Sequence, residues 1–409
     1  DEATTALDAT VEAEIVALVK SLAAKLGTAL VFISHNLALL RRTCDRLYVM
    51  QDGCVVESGP SEDLFKAAQH PYTQMLFAAM VDITAPVSVR EISGDVVLAG
   101  NQLSKSFKTD QGTVHAVKDV SISVRAGETV AIVGESGSGK TTLARLLIGL
   151  EVADVGTVSL HGNALVNLAL YARNPEDVRA LQMIFHNPSE TLNPSRRIGV
   201  QFMRVLRKLG VAQSDADART QVVSHLDAVQ LPSSVAGALP HQLSGGQQQR
   251  VAIARAFAGN PAAIIADEPV SALDASVQAV VLEVLAEMQR NFGTSVLLIS
   301  HDLGMVRRVA DRIVVMYRGQ VVEEGATQAV FEPPYHPYTE ALLSAISGET
   351  PPDLPTPTLD HTLALGGCAF AARCRHRLGD LCVTDAPPVV ALAGGHRIRC
   401  HLNFSGHSH

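Results

Sequence analysis

Apolar and polar positions in the second half of the chain follow a strand-then-helix rhythm. ETVAIVG at 128–134 is a short apolar run, the pattern of a strand buried on both faces of a parallel sheet. It leads through a Gly-rich turn into TTLARLLIGL, which reads as a helix. AAIIADEP and TSVLLISH are two further apolar runs ending in polar residues. Between them Val277, Val280, Val281, Val284, Leu285 and Met288 recur at helical spacing and predict one buried face, with Asp274 or Ser276 as the cap. Alternation of this kind predicts an α/β fold: a parallel sheet covered by helices, with ligands at the carboxyl ends of its strands.

The pattern also repeats. Sliding the chain by 266 positions aligns 1–80 with 267–346 without a gap and with about 32 identities. DEATTALD at 1–8 meets DEPVSALD at 267–274, ISHNL meets ISHDL, and HPYT at 70–73 meets HPYT at 336–339. A period this long is a whole domain. The second copy has about 170 residues before it that the first lacks, so 1–80 reads as the C-terminal part of a first domain whose front part, about 200 residues, is expected upstream. Residues 81–94 read as a linker, 95–348 as a complete second domain, and 349–409 as a Pro-rich spacer with a Cys-rich extension.

Composition narrows the classes. Over 409 residues the chain is 47% apolar and 18% charged, with a formal net charge of −8, and its charges are interspersed. No basic stripe is available for nucleic acid. No run approaches the 18 to 20 uninterrupted apolar residues of a membrane span, so membrane contact is expected only through partners. Of six cysteines, Cys44 and Cys54 are scattered, whereas Cys368, Cys374, Cys382 and Cys400 fall within the last 42 residues. In a reducing compartment such crowding suggests metal before disulfide.

GESGSGKT at 134–141 is a phosphate-binding loop in the required strand-to-helix context. Gly134, Ser136, Gly137, Ser138 and Gly139 let backbone N–H groups wrap phosphates at a helix N-terminus. Lys140 is placed to reach the β/γ-phosphates, and Thr141, followed by Thr142, to ligate Mg²⁺. Asp267 ends the AAIIA strand and is a second Mg²⁺ ligand; Glu268 is placed to orient or deprotonate the attacking water. His301 ends a neighbouring strand, within expected reach of the γ-phosphate. LSGGQQQR at 243–250 sets Ser244, Gly245, Gly246 and Gln247 at the start of another helix, a second anion site that is redundant unless it serves another domain's nucleotide.

In this order the P-loop, LSGGQ, ADEP, SALD and ISHDL resemble the ATP-binding subunits of ATP-binding cassette (ABC) transporters. The resemblance implies a P-loop NTPase cassette, with a parallel-sheet core, an antiparallel β subdomain and a helical signature subdomain. It implies two such cassettes in tandem, the first incomplete, that pair head to tail so that each P-loop faces the partner's LSGGQ across ATP. It also implies that Phe107 stacks on adenine and that Asp274 signals across the interface. In the first copy Asp1, Glu2, Asp8 and His35 match the metal Asp, catalytic Glu, interface Asp and switch His. One position departs from the family: in QMIFHNPSE the lid glutamine is replaced by His186, which puts the hydrolysis rate in question.

The tail, HPYTEALLSAI followed by GCAFAARCRHRLGDLC…RIRCHL, resembles the extension of dipeptide and oligopeptide importers. The spacing C-x5-C-x7-C-x17-C suits zinc or an iron–sulfur cluster, and the resemblance implies [4Fe–4S]. Arg373, Arg375, Arg377, Arg397 and Arg399 are expected either to offset the charge of such a cluster or to form a solvated face. The expected partners are two transmembrane permeases and an extracytoplasmic peptide-binding protein, with the chain peripheral on the cytoplasmic face. Nickel importers share parts of this tail. Soluble tandem-cassette translation factors carry a long charged linker, and DNA-repair ATPases a long coiled-coil insertion; the sequence has neither.

Overall fold

Thr129–Val133 is a strand with all five residues buried, and it lies inside the main sheet of the chain. The structure, a computed structural model, describes residues 9–34, 36–78, 90, 92–110, 112–165, 170–271, 273, 275–347 and 366–402. Thr129–Val133 pairs parallel with Ser295–Ser300 on one side and Arg312–Tyr317 on the other. Ala263–Asp267 and Leu181–Ile184 extend the parallel part beyond Ser295–Ser300. The apolar runs ETVAIVG, AAIIADEP and TSVLLISH are therefore three strands of one sheet.

Side chains alternate across that sheet and build two cores. Val130, Ile132, Ile265, Leu297 and Ile299 pack on one face with Leu143, Ala144 and Leu147 of the helix Lys140–Ile148. Ala131, Val133, Ile264, Ala266 and Leu298 pack on the other with Val251, Ile253 and Phe257 of the helix Gly245–Phe257. The helix after the phosphate loop and the helix after LSGGQ thus cover opposite faces. The first core is closed by an antiparallel sheet in which Val96–Thr109 lies between Gly112–Arg125 and Val155–Leu160.

The helix Ala275–Phe292 has the predicted stripe with one correction. Val281, Val284, Leu285 and Met288 are buried, but Val280 is 42% exposed and Leu282 is buried in its place. The stripe is rotated because Val281 and Leu285, not Val280, centre it. Ser276 lies within the first turn, so it does not cap the helix; Asp274 lies outside the described residues.

The repeat holds at the level of backbone register. Arg46–Gln51 pairs with Cys54–Pro60, and 266 residues later Arg312–Tyr317 pairs with Gln320–Ala326. Each hairpin has its irregularity at the same place, Val49/Met50 and Val315/Met316. The second hairpin continues into the Cys-rich segment: Glu323 faces Ile398 and Glu324 faces Arg397, and Val389–Ala391 pairs in turn with Arg397–Arg399. The extension is a continuation of the main sheet. Among the described residues no helix is long and apolar enough to cross a membrane.

Candidate nucleotide site

The phosphate loop is shaped by glycines that admit no side chain. Gly134 has φ +151°, and a Cβ there would meet the Met316 carbonyl oxygen at 2.1 Å. Gly139, at the helix N-terminus, has φ +100°, and its Cβ would meet the Ala116 carbonyl oxygen at 2.2 Å. The loop is braced from the same quarter, since Gly319 N–H donates to the Ser138 carbonyl (2.9 Å) and Lys118 N–H to that of Gly319 (2.8 Å). Lys140 is buried, with Nζ donating to the carbonyls of Gly134 (2.7 Å) and Glu135 (2.9 Å).

Thr141 Oγ1 donates to Asp267 Oδ1 at 3.3 Å. A hydroxyl and a carboxylate in contact beside a phosphate cradle are the donors a hydrated Mg²⁺ takes, so these two would hold the ion. Burial first, then the neighbouring Glu268 charge, raises the Asp267 carboxyl above its usual range; a bound cation would reverse that. Glu268 shifts the opposite way, chiefly because it is hydrogen-bonded to His301, whose Nδ1 lies 3.2 Å from Glu268 Oε2. The same hydrogen bond raises the His301 imidazole. Glu268 also stands at φ +45°, a left-handed backbone unusual for a non-glycine. It is held there by its N–H, which donates to the Ile299 carbonyl (3.0 Å), and by its own carbonyl, which accepts from Ser271.

His186 follows the strand Leu181–Ile184 and is near enough for its charge to act on both Asp267 and Glu268. Its Nε2 lies 3.6 Å from Glu190 Oε1. One ring tautomer offers one donor and one acceptor on opposite edges, whereas a glutamine amide presents both at one end. The expected result for His186→Gln is a several-fold rise in steady-state ATP hydrolysis; an unchanged or lower rate in the complete protein would show that His186 does not limit hydrolysis.

Ser244 caps the helix Gly245–Phe257 in a reciprocal box: its Oγ accepts from Gln247 N–H (3.3 Å) and Gln247 Oε1 accepts from Ser244 N–H (3.0 Å). A Cβ on Gly246 would lie 2.5 Å from Val277 Cγ1, so glycine permits the helix Ala275–Phe292 to approach. Phe107 is partly exposed and paired with Val114 on the antiparallel sheet, with Lys105 Nζ 5.5 Å from its ring centre. Asp1, Glu2, Asp8, His35 and Asp274 lie outside the described residues.

Cys368, Cys374, Cys382 and Cys400 all line one small cavity, with His336, Phe370 and His401 also on its wall. Burial, reinforced by the neighbouring thiols, pushes Cys374 up to about 11. Among the described residues no three His, Cys, Asp or Glu side chains are grouped so as to hold a single metal ion. The arginines expected to offset a cluster, or to form a solvated face, are mostly committed to carboxylates and carbonyls. Arg373 pairs with Glu135, Arg375 with Glu340 and Arg397 with Glu324, while Arg399 Nε donates to the Val321 carbonyl.

Sequence reasoning missed the work of HPYT. The His336 N–H donates to Glu323 Oε2 (2.9 Å), and the Tyr338 N–H donates to His336 Nδ1 (3.0 Å). Burial drives His336 down to about 3, which keeps that nitrogen an acceptor. The first copy repeats both bonds through His70, Glu57 and Tyr72. His396 Nε2 lies 2.8 Å from Glu323 Oε1, so the same buried carboxylate also holds the extension.

A phosphate-wrapping loop at the carboxyl end of one parallel strand, facing a carboxylate pair two strands away, defines a P-loop nucleotide-binding domain. Comparison with known proteins makes this specific. Residues 117–271 match the family model described as ABC transporter. Residues 56–107 and 322–382 match the one described as oligopeptide/dipeptide transporter, C-terminal region. Glutathione import ATP-binding protein GsiA of Salmonella paratyphi A (strain ATCC 9150 / SARB42) is 39% identical over 377 residues, 85% of this chain and 60% of that protein. The protein of the same name from Escherichia coli (strain K12) is 39% identical over 381 residues, again 85% and 60%. The dimeric structure of MJ0796, a bacterial ABC transporter cassette, matches with a TM-score of 0.50 at 29% identity, over 57% of this chain and 99% of that one. The chain belongs to the ABC transporter ATP-binding family, in the branch that carries the oligopeptide/dipeptide C-terminal region. It spans about 60% of the length of the curated relatives it matches.

Proposed function

We propose that this chain is the ATP-binding and ATP-hydrolysing part of an ABC importer for di- and oligopeptides, a class that includes the tripeptide named in its GsiA relatives. The observation that carries the reading is the convergence of Lys140, Thr141, Asp267, Glu268 and His301 in a chain that also matches the oligopeptide/dipeptide C-terminal region twice. The glycine loop and Lys140 bind the triphosphate, Phe107 stacks on adenine, and Thr141 and Asp267 hold Mg²⁺. Glu268 orients the attacking water and accepts its proton, while His301 keeps that carboxylate ionised and in place.

In this reading ATP sites are composite. The phosphate loop and Ser244–Gln247 begin helices on opposite faces of the same sheet, which supports a reading in which the two serve different nucleotides. Residues 1–80 and 95–348 are then parts of two cassettes in tandem, with Asp1, Glu2, Asp8 and His35 belonging to the first and Asp274 to the pairing interface of the second. Two permeases and an extracytoplasmic peptide-binding protein complete the importer, with this chain peripheral on the cytoplasmic face.

Four thiols facing one cavity fit the donor set of a [4Fe–4S] cluster, which Cys368, Cys374, Cys382 and Cys400 would hold. When bound, it supplies a four-point cross-link and a one-electron centre. The chain's own residues close the segment otherwise, through the sheet pairing at Ile398 and the Glu323–His396 contact.

Reconstitution into vesicles with the permease pair that co-purifies with the chain, plus the binding protein, tests the reading. ATP enclosed with the chain is expected to drive uptake of a labelled di- or tripeptide, and Lys140→Ala to abolish it. Uptake that persists in the variant, or ATP turnover indifferent to binding protein and peptide, would overturn it.

A further inference from the structure

Glu135, the second residue of the phosphate loop, carries a carboxylate, and in a loop built to attract anions such a group is a liability. It is also poorly placed to be screened by water, since its side chain is 13% exposed. The structure holds it on three sides. Its N–H donates to Tyr338 Oη (2.7 Å), its carbonyl accepts from Lys140 Nζ (2.9 Å), and both carboxylate oxygens accept from Arg373 Nη1 (2.9 and 3.0 Å).

Arg373 comes from the Cys-rich segment, 238 residues further along the chain, and its side chain is only 8% exposed. It stands between Cys368 and Cys374, and its guanidinium carbon lies 5.9 Å from the centre of the Phe370 ring. Phe370 is itself wedged against Tyr317 (5.2 Å) and Tyr338 (5.5 Å). Tyr317 ends a strand of the main sheet, and Tyr338 belongs to the HPYT helix. The guanidinium is therefore fixed by packing at its base and by the loop carboxylate at its tip.

We infer that Arg373 is a positioning residue of the ATP site: it neutralises Glu135 and, through it, fixes the phosphate loop. The Cys-rich segment is thereby a working part of the nucleotide site. Without Arg373 a largely buried negative charge in the phosphate loop would stand uncompensated beside the incoming phosphates' own charge, and affinity for ATP would fall. If Glu135 were neutral as well, the penalty would disappear. A role limited to covering the loop would give no such recovery.

The inference rests on the reading of this loop as an ATP site, and the experiment separates the two. Binding of a fluorescent ATP analogue with Mg²⁺ is titrated for the whole chain, Arg373→Ala, Arg373→Met and Arg373→Ala/Glu135→Gln, each checked for thermal unfolding. The expected result is affinity about tenfold or more weaker in both single variants, and recovery to within about threefold of the unaltered chain in the double variant. Arg373→Met keeps the length and apolar stem of the side chain, so it carries the comparison if Arg373→Ala does not fold. Single variants that bind as well as the unaltered chain, or a double variant as weak as the singles, would overturn the inference. An unaltered chain that binds no nucleotide would instead overturn the functional reading.

Discussion

Glu268→Gln is expected to leave ATP affinity within about threefold of normal while slowing hydrolysis about 10²- to 10⁴-fold, the usual contribution of a positioned general base. The two effects separate because Glu268 does not belong to the phosphate cradle: its carboxylate meets His301, 3.2 Å away, and its backbone is tied to Ile299. Gln keeps the shape and can still accept from an imidazole N–H, so the strained backbone at φ +45° retains its supports. What is lost is the negative charge that the His301 hydrogen bond maintains and that would take the proton from water. Single-turnover hydrolysis and equilibrium binding on the same preparation check this directly. A variant that hydrolyses at more than about a tenth of the normal rate would mean that another group handles the proton.

The residues that carry this prediction were legible in the sequence because their constraints are local. A glycine loop between an apolar run and a helix, or an acidic pair at a strand end, is set by a few neighbouring residues and announces itself. What stayed hidden depends on distant partners. The Arg373–Glu135 pair joins segments 238 residues apart, and neither residue differs in type from the solvated charges around it. The histidine of HPYT repeated visibly in the sequence, but its task became apparent only once Glu323 and Glu57 were found beneath the two copies.

Gly139→Ala is expected to abolish measurable ATP binding, weakening it at least about 100-fold. Two independent penalties meet at this position. The backbone stands at φ +100°, outside the region an L-residue adopts comfortably, at a cost of about 1–3 kcal/mol. The added methyl would also lie 2.2 Å from the Ala116 carbonyl oxygen, a backbone atom that cannot rotate aside. Ala116 belongs to the strand Gly112–Arg125, where its neighbours His115 and Val117 pair with Ser106 and Lys105 of Val96–Thr109, so yielding there would disturb a sheet. The loop is the softer element and should move, taking with it the N–H groups that wrap phosphate. Since about 1.4 kcal/mol corresponds to a factor of ten, the two penalties together reach the expected loss. Gly162, in a turn of the antiparallel sheet, separates strain from collision: it has φ +76°, and a methyl added there would find nothing within 4 Å. Gly162→Ala is expected to lower the unfolding midpoint slightly and leave ATP affinity unchanged. Titration of both variants with the same nucleotide decides the matter: Gly139→Ala binding within about threefold of normal would show that the loop tolerates a different path around the phosphates.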